Sequence, residues 1–383
     1  MLQSIGEGYP GTVQRIASRP TRWDPEPVPN PFDPDAPALA GSGLFGLSTP
    51  LEGSAVRVLP VPFEATTSYR RGTAQGPLAI EAASHQVDLY DRQTGRPYKS
   101  GIHLAEPAPE VVAWNEEASA LVQHLHTHEG SPAEQETMRA RVNTIGAELN
   151  AFVFESTRTC LKQGQLPVTL GGDHSIPYGA ILACAEAHPG MGLLHFDAHA
   201  DLRDSYEGFT WSHASILHNV VRGAADLGQI VQVGVRDLGE SEARAIEGSG
   251  GAIHTVFDDQ WARTRLDGLS LRELVRRSLD RLPHEVYLTF DVDGLDPSLC
   301  PQTGTPVPGG LTWHDAMLWL EELTNSGRRI VGLDLCEVSP GPQGDETGQG
   351  WDAAVGARLL YRLIGTALLT RSQGSKESFS RPD

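Results

Sequence analysis

The sequence predicts an α/β fold built on a largely parallel sheet covered by helices on both faces. Two observations carry that expectation. From Ala55 onward, short β-branched apolar runs alternate with longer stretches of helical periodicity, the pattern of repeated strand and helix units. The apolar runs are continuous rather than alternating, as in strands that are buried on both sides.

Taken in order, residues 55–61, 167–170, 192–196, 229–235, 285–290 and 329–335 read as strands. Residues 139–160, 270–282, 312–325 and 352–369 read as helices with few breakers. Residues 1–52 are rich in Pro, Gly and Asp, and repeated prolines block both helix and sheet hydrogen bonds. They form an extended arm, with Trp23, Phe32 and Phe45 as its anchoring aromatics. The catalytic domain spans 53–372 and a flexible tail follows at 373–383. Residues 106–131 belong to the surface, and His124, His126 and His128 there read as a solvated trio rather than a metal site.

Composition narrows the function. Hydrophobic residues make up 39% and aromatics only 7%, so the core rests on Ala, Leu, Val and Ile. A formal charge of -19 excludes a nucleic-acid footprint, which needs clustered Lys and Arg. Carboxylate excess suits a cationic ligand or several metal ions, although most of it serves solubility. The four cysteines, at 160, 184, 300 and 336, lack the spacing of a zinc site or a disulfide framework, and neither a leader nor a membrane span is evident. A cytoplasmic location is expected.

The chemistry lies at strand ends, where ligands collect in parallel α/β sheets. Leu170 leads into Gly171-Gly172-Asp173-His174-Ser175, and Phe196 into Asp197-Ala198-His199-Ala200-Asp201. Phe290 leads into Asp291-Val292-Asp293-Gly294, and Leu335 into Cys336-Glu337. Spacing by two places Asp197, His199 and Asp201, and again Asp291 and Asp293, on one side of an extended chain. With His174 this offers four carboxylates and two imidazoles, more than one ion can use; two ions share them through bridging carboxylates. Oxygen and nitrogen donors without thiolate suit manganese, nickel, cobalt or zinc better than calcium.

These motifs, with Ser-His-Ala-Ser at 212–215 and Gly-Thr-Pro-Val-Pro-Gly-Gly-Leu at 304–311, resemble those of the ureohydrolases, the group containing arginase and agmatinase, from about Ala55 to Leu369. The resemblance implies a three-layer α/β/α sandwich around a mainly parallel sheet and two divalent ions, Mn2+ or Ni2+. One ion would take His174, Asp197, Asp201 and Asp291, the other Asp197, His199, Asp291 and Asp293, with Asp197 and Asp291 bridging. It also implies a homo-oligomer, trimer or hexamer.

A guanidinium carbon is a poor electrophile because three nitrogens share its charge. Two cations lower the pKa of a shared water from 15.7 to about 7, giving a hydroxide that attacks this carbon. Asp201 orients it, Glu337 grips the guanidinium through paired hydrogen bonds, and His213 matches the family's proton-shuttling histidine. Cys300 and Cys336 read as small buried hydrophobes, and the glycines at 304–310 form no phosphate loop.

The loop at 202–211 departs from the Ser, Asn and Gly pattern of arginases, which excludes arginine as the expected substrate. Phe209, Trp211, Trp313 and Trp351 would shorten the pocket. The long N-terminal arm and the Trp351-Asp352 segment resemble the guanidine-hydrolase branch more than compact agmatinases, so guanidine, giving urea and ammonia, is the expected substrate; agmatine, giving urea and putrescine, and short guanidino acids are alternatives. A structural, non-catalytic role is the reading from another class, opposed by the retention of all six metal-ligand positions with His213 and Glu337.

Overall fold

A computed structural model describes residues 32–39, 41–341 and 349–372. The expected tail at 373–383 and Trp23 of the arm lie outside the described residues. The chain divides into units at Met1–Pro34 and Asp35–Asp383, and the second holds everything discussed below.

Eight strands form one sheet: β1 (Val56–Val61), β2 (Ile102–Leu104), β3 (Leu166–Gly171), β4 (Gly192–Phe196), β5 (Ile230–Val233), β6 (Ile253–Val256), β7 (Glu285–Phe290) and β8 (Arg329–Leu335). Their spatial order is β2-β1-β3-β8-β7-β4-β5-β6, and every pairing is parallel. The four strands with polar sequence at their carboxyl ends, β3, β8, β7 and β4, are therefore the four consecutive strands at the middle of the sheet. Topology alone brings motifs more than a hundred residues apart to one edge.

Each sheet face feeds a separate core. Leu166, Val168, Leu194, Phe196, Leu288 and Leu333 pack on one side, under helices α1 (Gly76–Ser84), α8 (Leu271–Leu279), α9 (Trp313–Asn325) and α10 (Trp351–Ser372). Val61, Leu193, Tyr287 and Val331 face the other side, against α2 (Pro109–His126), α3 (Pro132–Lys162), α4 (Tyr178–Ala187) and α5 (Ile216–Gly223). Two further helices, α6 (Glu240–Gly248) and α7 (Asp258–Leu266), follow β5 and β6. This is the expected three-layer sandwich. Helix α10 is long and apolar enough to cross a membrane by length and composition, yet Leu359, Leu360, Leu363 and Ile364 are buried in the core beneath it.

Three expectations need correction. Residues 109–126, expected only as surface, form a helix with one buried face; its apolar stripe of Val111, Ala118, Val122 and Leu125 is diluted by Glu and His on the wet side. His124, His126 and His128 are exposed there, and His126 Nε2 pairs with Glu207 Oε2 at 2.8 Å. The edge strands β2 and β6, three and four residues long, are too short to show a period. Within the supposed arm, Leu44, Phe45 and Leu47 belong to the core, and Phe45 meets Tyr361 of α10 edge-on at 4.7 Å.

Candidate metal centre

The side chains of His174, Asp197, His199, Asp201, Asp291 and Asp293 converge past the ends of β3, β4 and β7. His174 Nδ1 stands 2.9 Å from Asp197 Oδ2, 3.0 Å from Asp201 Oδ2 and 3.6 Å from Asp291 Oδ2. His199 Nδ1 stands 3.3 Å from Asp197 Oδ1 and 3.0 Å from Asp293 Oδ2. Asp197 thus belongs to two donor groups, one with His174, His195 and Asp201 and one with His199 and Asp293.

Spacing by two works differently from the extended strand expected. Asp197 Oδ1 accepts from His199 N at 2.6 Å, and Asp291 Oδ1 from Asp293 N at 2.7 Å. Both are Asx turns, in which the side chain replaces a backbone acceptor and folds the chain back on itself; residues 292–294 are a 3-10 turn. One carboxylate oxygen of each aspartate braces the turn and the other faces the cluster. Asp201 and Glu337 hold left-handed backbone, at φ 55° and 65°, a strain of about 1–3 kcal/mol per residue when it occurs outside glycine. The turn at Asp201 aims its carbonyl at the N–H groups of Leu217 and His218 in α5. Gly172 has no room for a side chain: a Cβ there would lie 1.8 Å from Phe63 O.

Glu337 reaches the cluster from β8. Its Oε1 accepts from His174 N at 2.9 Å, while Oε2 is buried with no hydrogen-bond partner. Thr305 Oγ1 donates to Asp293 Oδ2 at 3.2 Å. His213 is held by Thr66, Ser68 and Ser212 hydroxyls at 3.4–3.5 Å, with Tyr206 edge-on to its ring.

Electrostatically the cluster is unbalanced. Among the described residues no Lys or Arg pairs with Asp197, Asp201, Asp291, Asp293 or Glu337; the four aspartates face histidines, and Glu337 pairs with no cation. Burial and then Asp197 push the Asp201 carboxyl up to about 8, and burial with Asp293 and Asp197 raises Asp291. Burial, Asp173 and Asp293 raise Glu337. The orphaned Glu337 oxygen, repelling carboxylates and an oxygen and nitrogen donor set fit divalent cations.

Residues 54–365 match the family model described as the arginase family. The chain belongs to the arginase family. An N(1)-aminopropylagmatine ureohydrolase of Thermus thermophilus is 33% identical over 336 residues, covering 87% of this chain and 98% of the relative. A guanidinobutyrase of Pseudomonas aeruginosa is 30% identical over 316 residues, covering 79% and 83%. The crystal structure of an agmatine ureohydrolase of Thermoplasma volcanium superposes with a TM-score of 0.63 at 24% identity, covering 84% of this chain and 92% of that one. As a member of this family the chain is a metal-dependent hydrolase of guanidino compounds.

The sequence sets four aromatics beside the pocket. Trp211 packs on Gly146 of α3 and its ring lies 4.9 Å from Tyr178. Trp313 packs on the core from the start of α9. Trp351 is exposed and donates to Ser298 O, and Phe209 is a core residue. Each aromatic expected to shorten the pocket is engaged in packing or at the surface. His213 is pushed down to about 4 by burial and by His199, so at neutral pH it arrives unprotonated, as an acceptor.

Three buried polar residues inside the strands escaped the motif reading. His195 of β4 stands 2.9 Å from Asp197 Oδ2. Thr289 of β7 contacts His174 Nε2 at 2.8 Å and donates to Asp334 Oδ1 of β8 at 2.9 Å, which leaves His174 Nδ1 facing the cluster. Each interrupts an apolar strand, in Leu-Leu-His-Phe, Tyr-Leu-Thr-Phe and Gly-Leu-Asp-Leu, and a polar residue in such a run is the signal that finds it.

Proposed function

We propose that the chain hydrolyses an agmatine-type substrate, a guanidinium on an alkylamine tail, to urea and the free amine. The observation that carries this reading is Glu337 Oε2: a buried carboxylate oxygen without a partner, beside Gly304, whose added Cβ would lie 2.8 Å from it. A buried anion left open calls for a cation that donates hydrogen bonds, and a guanidinium does so in the paired geometry a carboxylate accepts.

His174, Asp197, Asp201 and Asp291 would hold one divalent ion, and Asp197, His199, Asp291 and Asp293 a second. When bound, such ions acidify water to the neutral range and stabilise charge at the attacked carbon. Asp201 Oδ2 accepts a hydrogen bond from the attacking water. Glu337 fixes the guanidinium, and His213, neutral at pH 7, takes a proton and passes it to the departing nitrogen. Water and the guanidinium thus become urea and an alkylammonium, with charge conserved.

The sequence puts guanidine first among substrates on the length of its arm and the Trp351-Asp352 segment. An aminopropylagmatine ureohydrolase and an agmatinase among the relatives favour a tailed substrate instead. Urea release from agmatine, N(1)-aminopropylagmatine, guanidinobutyrate, guanidine and arginine, with Mn2+ and Ni2+ compared, tests the reading. The agmatine-type pair should exceed guanidine in kcat/KM by about tenfold or more, the worth of a bound tail of only roughly 1.4 kcal/mol. Preference for guanidine would sink the tailed substrate and leave the ureohydrolase standing. Four free, buried cysteines support a reducing, cytoplasmic setting, and a trimer or hexamer, carried by the family, is checked by sedimentation.

A further inference from the structure

A chain of buried polar side chains runs inward from the edge of the sheet to Asp197. It begins at Thr255 of β6, whose Oγ1 donates to Gln232 Oε1 of β5 at 2.8 Å. Gln232 Nε2 donates to the Ala200 carbonyl at 2.9 Å. A carbonyl only accepts and the threonine hydroxyl closes the other end, so the amide has one orientation. Its second hydrogen faces His195 Nδ1 at 3.2 Å. Nδ1 is therefore an acceptor, and the ring proton sits on Nε2, which points at Asp197 Oδ2 from 2.9 Å.

We propose that His195 is a positioning residue for the shared carboxylate, donating a fixed N–H to Asp197 Oδ2 in the tautomer set by Gln232, and is not itself a metal ligand. Asp197 is then braced at both oxygens, Oδ1 by His199 N at 2.6 Å and Oδ2 by His195. Each oxygen has two lone pairs. One is spent on the brace and one remains for the cluster, the arrangement a carboxylate shared by two ions requires. The carbonyl that orients Gln232 belongs to Ala200, inside the motif that supplies Asp197, His199 and Asp201, so the relay and the ligands form one rigid unit. His195, Gln232 and Thr255 are all buried, which keeps water from substituting for any link.

The inference rests on the reading that the cluster holds two divalent ions, and the experiment separates the two. The full-length protein is stripped with chelator and titrated with Mn2+ by calorimetry, with metal content checked by elemental analysis and folding by near-ultraviolet circular dichroism. Four proteins are compared: wild type, His195→Phe, which keeps a ring and loses the donor, His195→Gln, whose amide nitrogen reaches the place of Nε2, and Gln232→Leu, which frees the tautomer. His195→Phe should weaken Mn2+ binding about 10- to 100-fold, the usual effect of removing a group that orients a ligand. His195→Gln should recover most of that loss, and Gln232→Leu should fall between. Wild-type affinity for both ions in His195→Phe would overturn the inference. So would a His195→Gln as weak as His195→Phe beside an unchanged Gln232→Leu, the pattern of a direct ligand. If His195→Phe does not fold, Gln232→Leu decides, and an affinity equal to wild type refutes the relay. Wild type taking up no Mn2+ would instead sink the metal reading itself.

Discussion

Glu337→Gln should act in opposite directions on catalysis and on stability. The amide keeps an oxygen to accept from His174 N, the 2.9 Å bond that Oε1 now makes, and removes the charge that Oε2 holds ready for the substrate. Losing one charged partner of a buried, hydrogen-bonded pair costs about 2–5 kcal/mol. At 1.36 kcal/mol per decade this is roughly a 30- to 5,000-fold loss of kcat/KM. Without substrate or metal the sign reverses. The Glu337 carboxyl is raised by burial, Asp173 and Asp293, so its contribution to stability is present below the ordinary carboxyl range and is lost as pH rises above it. Above the ordinary carboxyl range this buried group therefore works against the fold, and the chelated variant should melt above chelated wild type. Steady-state urea release with metal content held equal, and thermal melts after chelation, measure the two effects. A kcat/KM close to wild type at full metal loading, or a lower melting temperature, would refute the assignment of Glu337 as the guanidinium's partner.

Gly304→Ala places a Cβ 2.8 Å from Glu337 Oε2; it should reduce kcat/KM on the order of 10- to 100-fold by misplacing the substrate while leaving the melting temperature nearly unchanged, and kinetics paired with melts check both. Asp291→Asn removes one of the two carboxylates proposed to bridge the ions, and elemental analysis should find the bound metal reduced from two ions per chain. Burial pushes the Cys160 thiol up to about 12 and raises the other three. At pH 8 only about one Cys160 in ten thousand is thiolate, so iodoacetamide should leave the native enzyme unlabelled and active, with mass spectrometry as the check. In the chelated protein, Asp201 at about 8 adds stability that is whole below the ordinary carboxyl range and drains as pH climbs through 8. His174 and His199, raised by their aspartates, act in the same sense, so the chelated melting temperature should fall between pH 5 and pH 8, more steeply than that of the metal-loaded protein.

What the sequence shows of the site is what is local in it. Asp197 and His199 stand two apart because an Asx turn ties them, and Asp291 and Asp293 repeat the device, so these pairs are visible in a string of letters. Glu337 is visible because an acidic residue directly after an apolar strand has little structural reason to be there. Helices α3, α8, α9 and α10 are visible through their period and the central strands as continuous apolar runs, whereas α1, α4, α5, α6 and α7, short helices between strands, go unannounced. By contrast β2 and β6 are set by pairing with β1 and β5 rather than by their own few residues, and the stripe of α2 is thinned by polar neighbours. Trp211 and Trp313 show the remaining difficulty. An aromatic beside a motif suits a pocket wall and a core equally well, and only the neighbours, Gly146 and Tyr178 for one and the α9 core for the other, decide. His195 is intermediate: a lone histidine within Leu-Leu-His-Phe signals a buried partner, but the partner, Gln232, lies 37 residues away on a strand whose adjacency no local pattern declares.

A cluster of buried carboxylates needs a frame that does not yield to their repulsion, and here the frame is backbone. Past the strand ends the hydrogen-bond ladder continues: Asp291 N donates to Phe196 O, Cys336 N to Phe290 O, Glu337 N to Gly172 O and Gly172 N to Val61 O. The ligand-bearing turns are thereby strung from β4 through β7, β8 and β3 to β1 as if the sheet had one more row. Arg236, just beyond β5, adds a strong cation to this layer. Its guanidinium donates to the carbonyls of Gly234, Asp293, Leu295 and Val307, clasping the Asp293 turn to the loop that carries Gly304 and Thr305. Because those acceptors are carbonyls, the clasp fixes geometry without neutralising a single ligand carboxylate. The negative charge is left for metal and substrate, and the strain at Asp201 and Glu337 is borne by a scaffold whose own hydrogen bonds do not depend on either being bound.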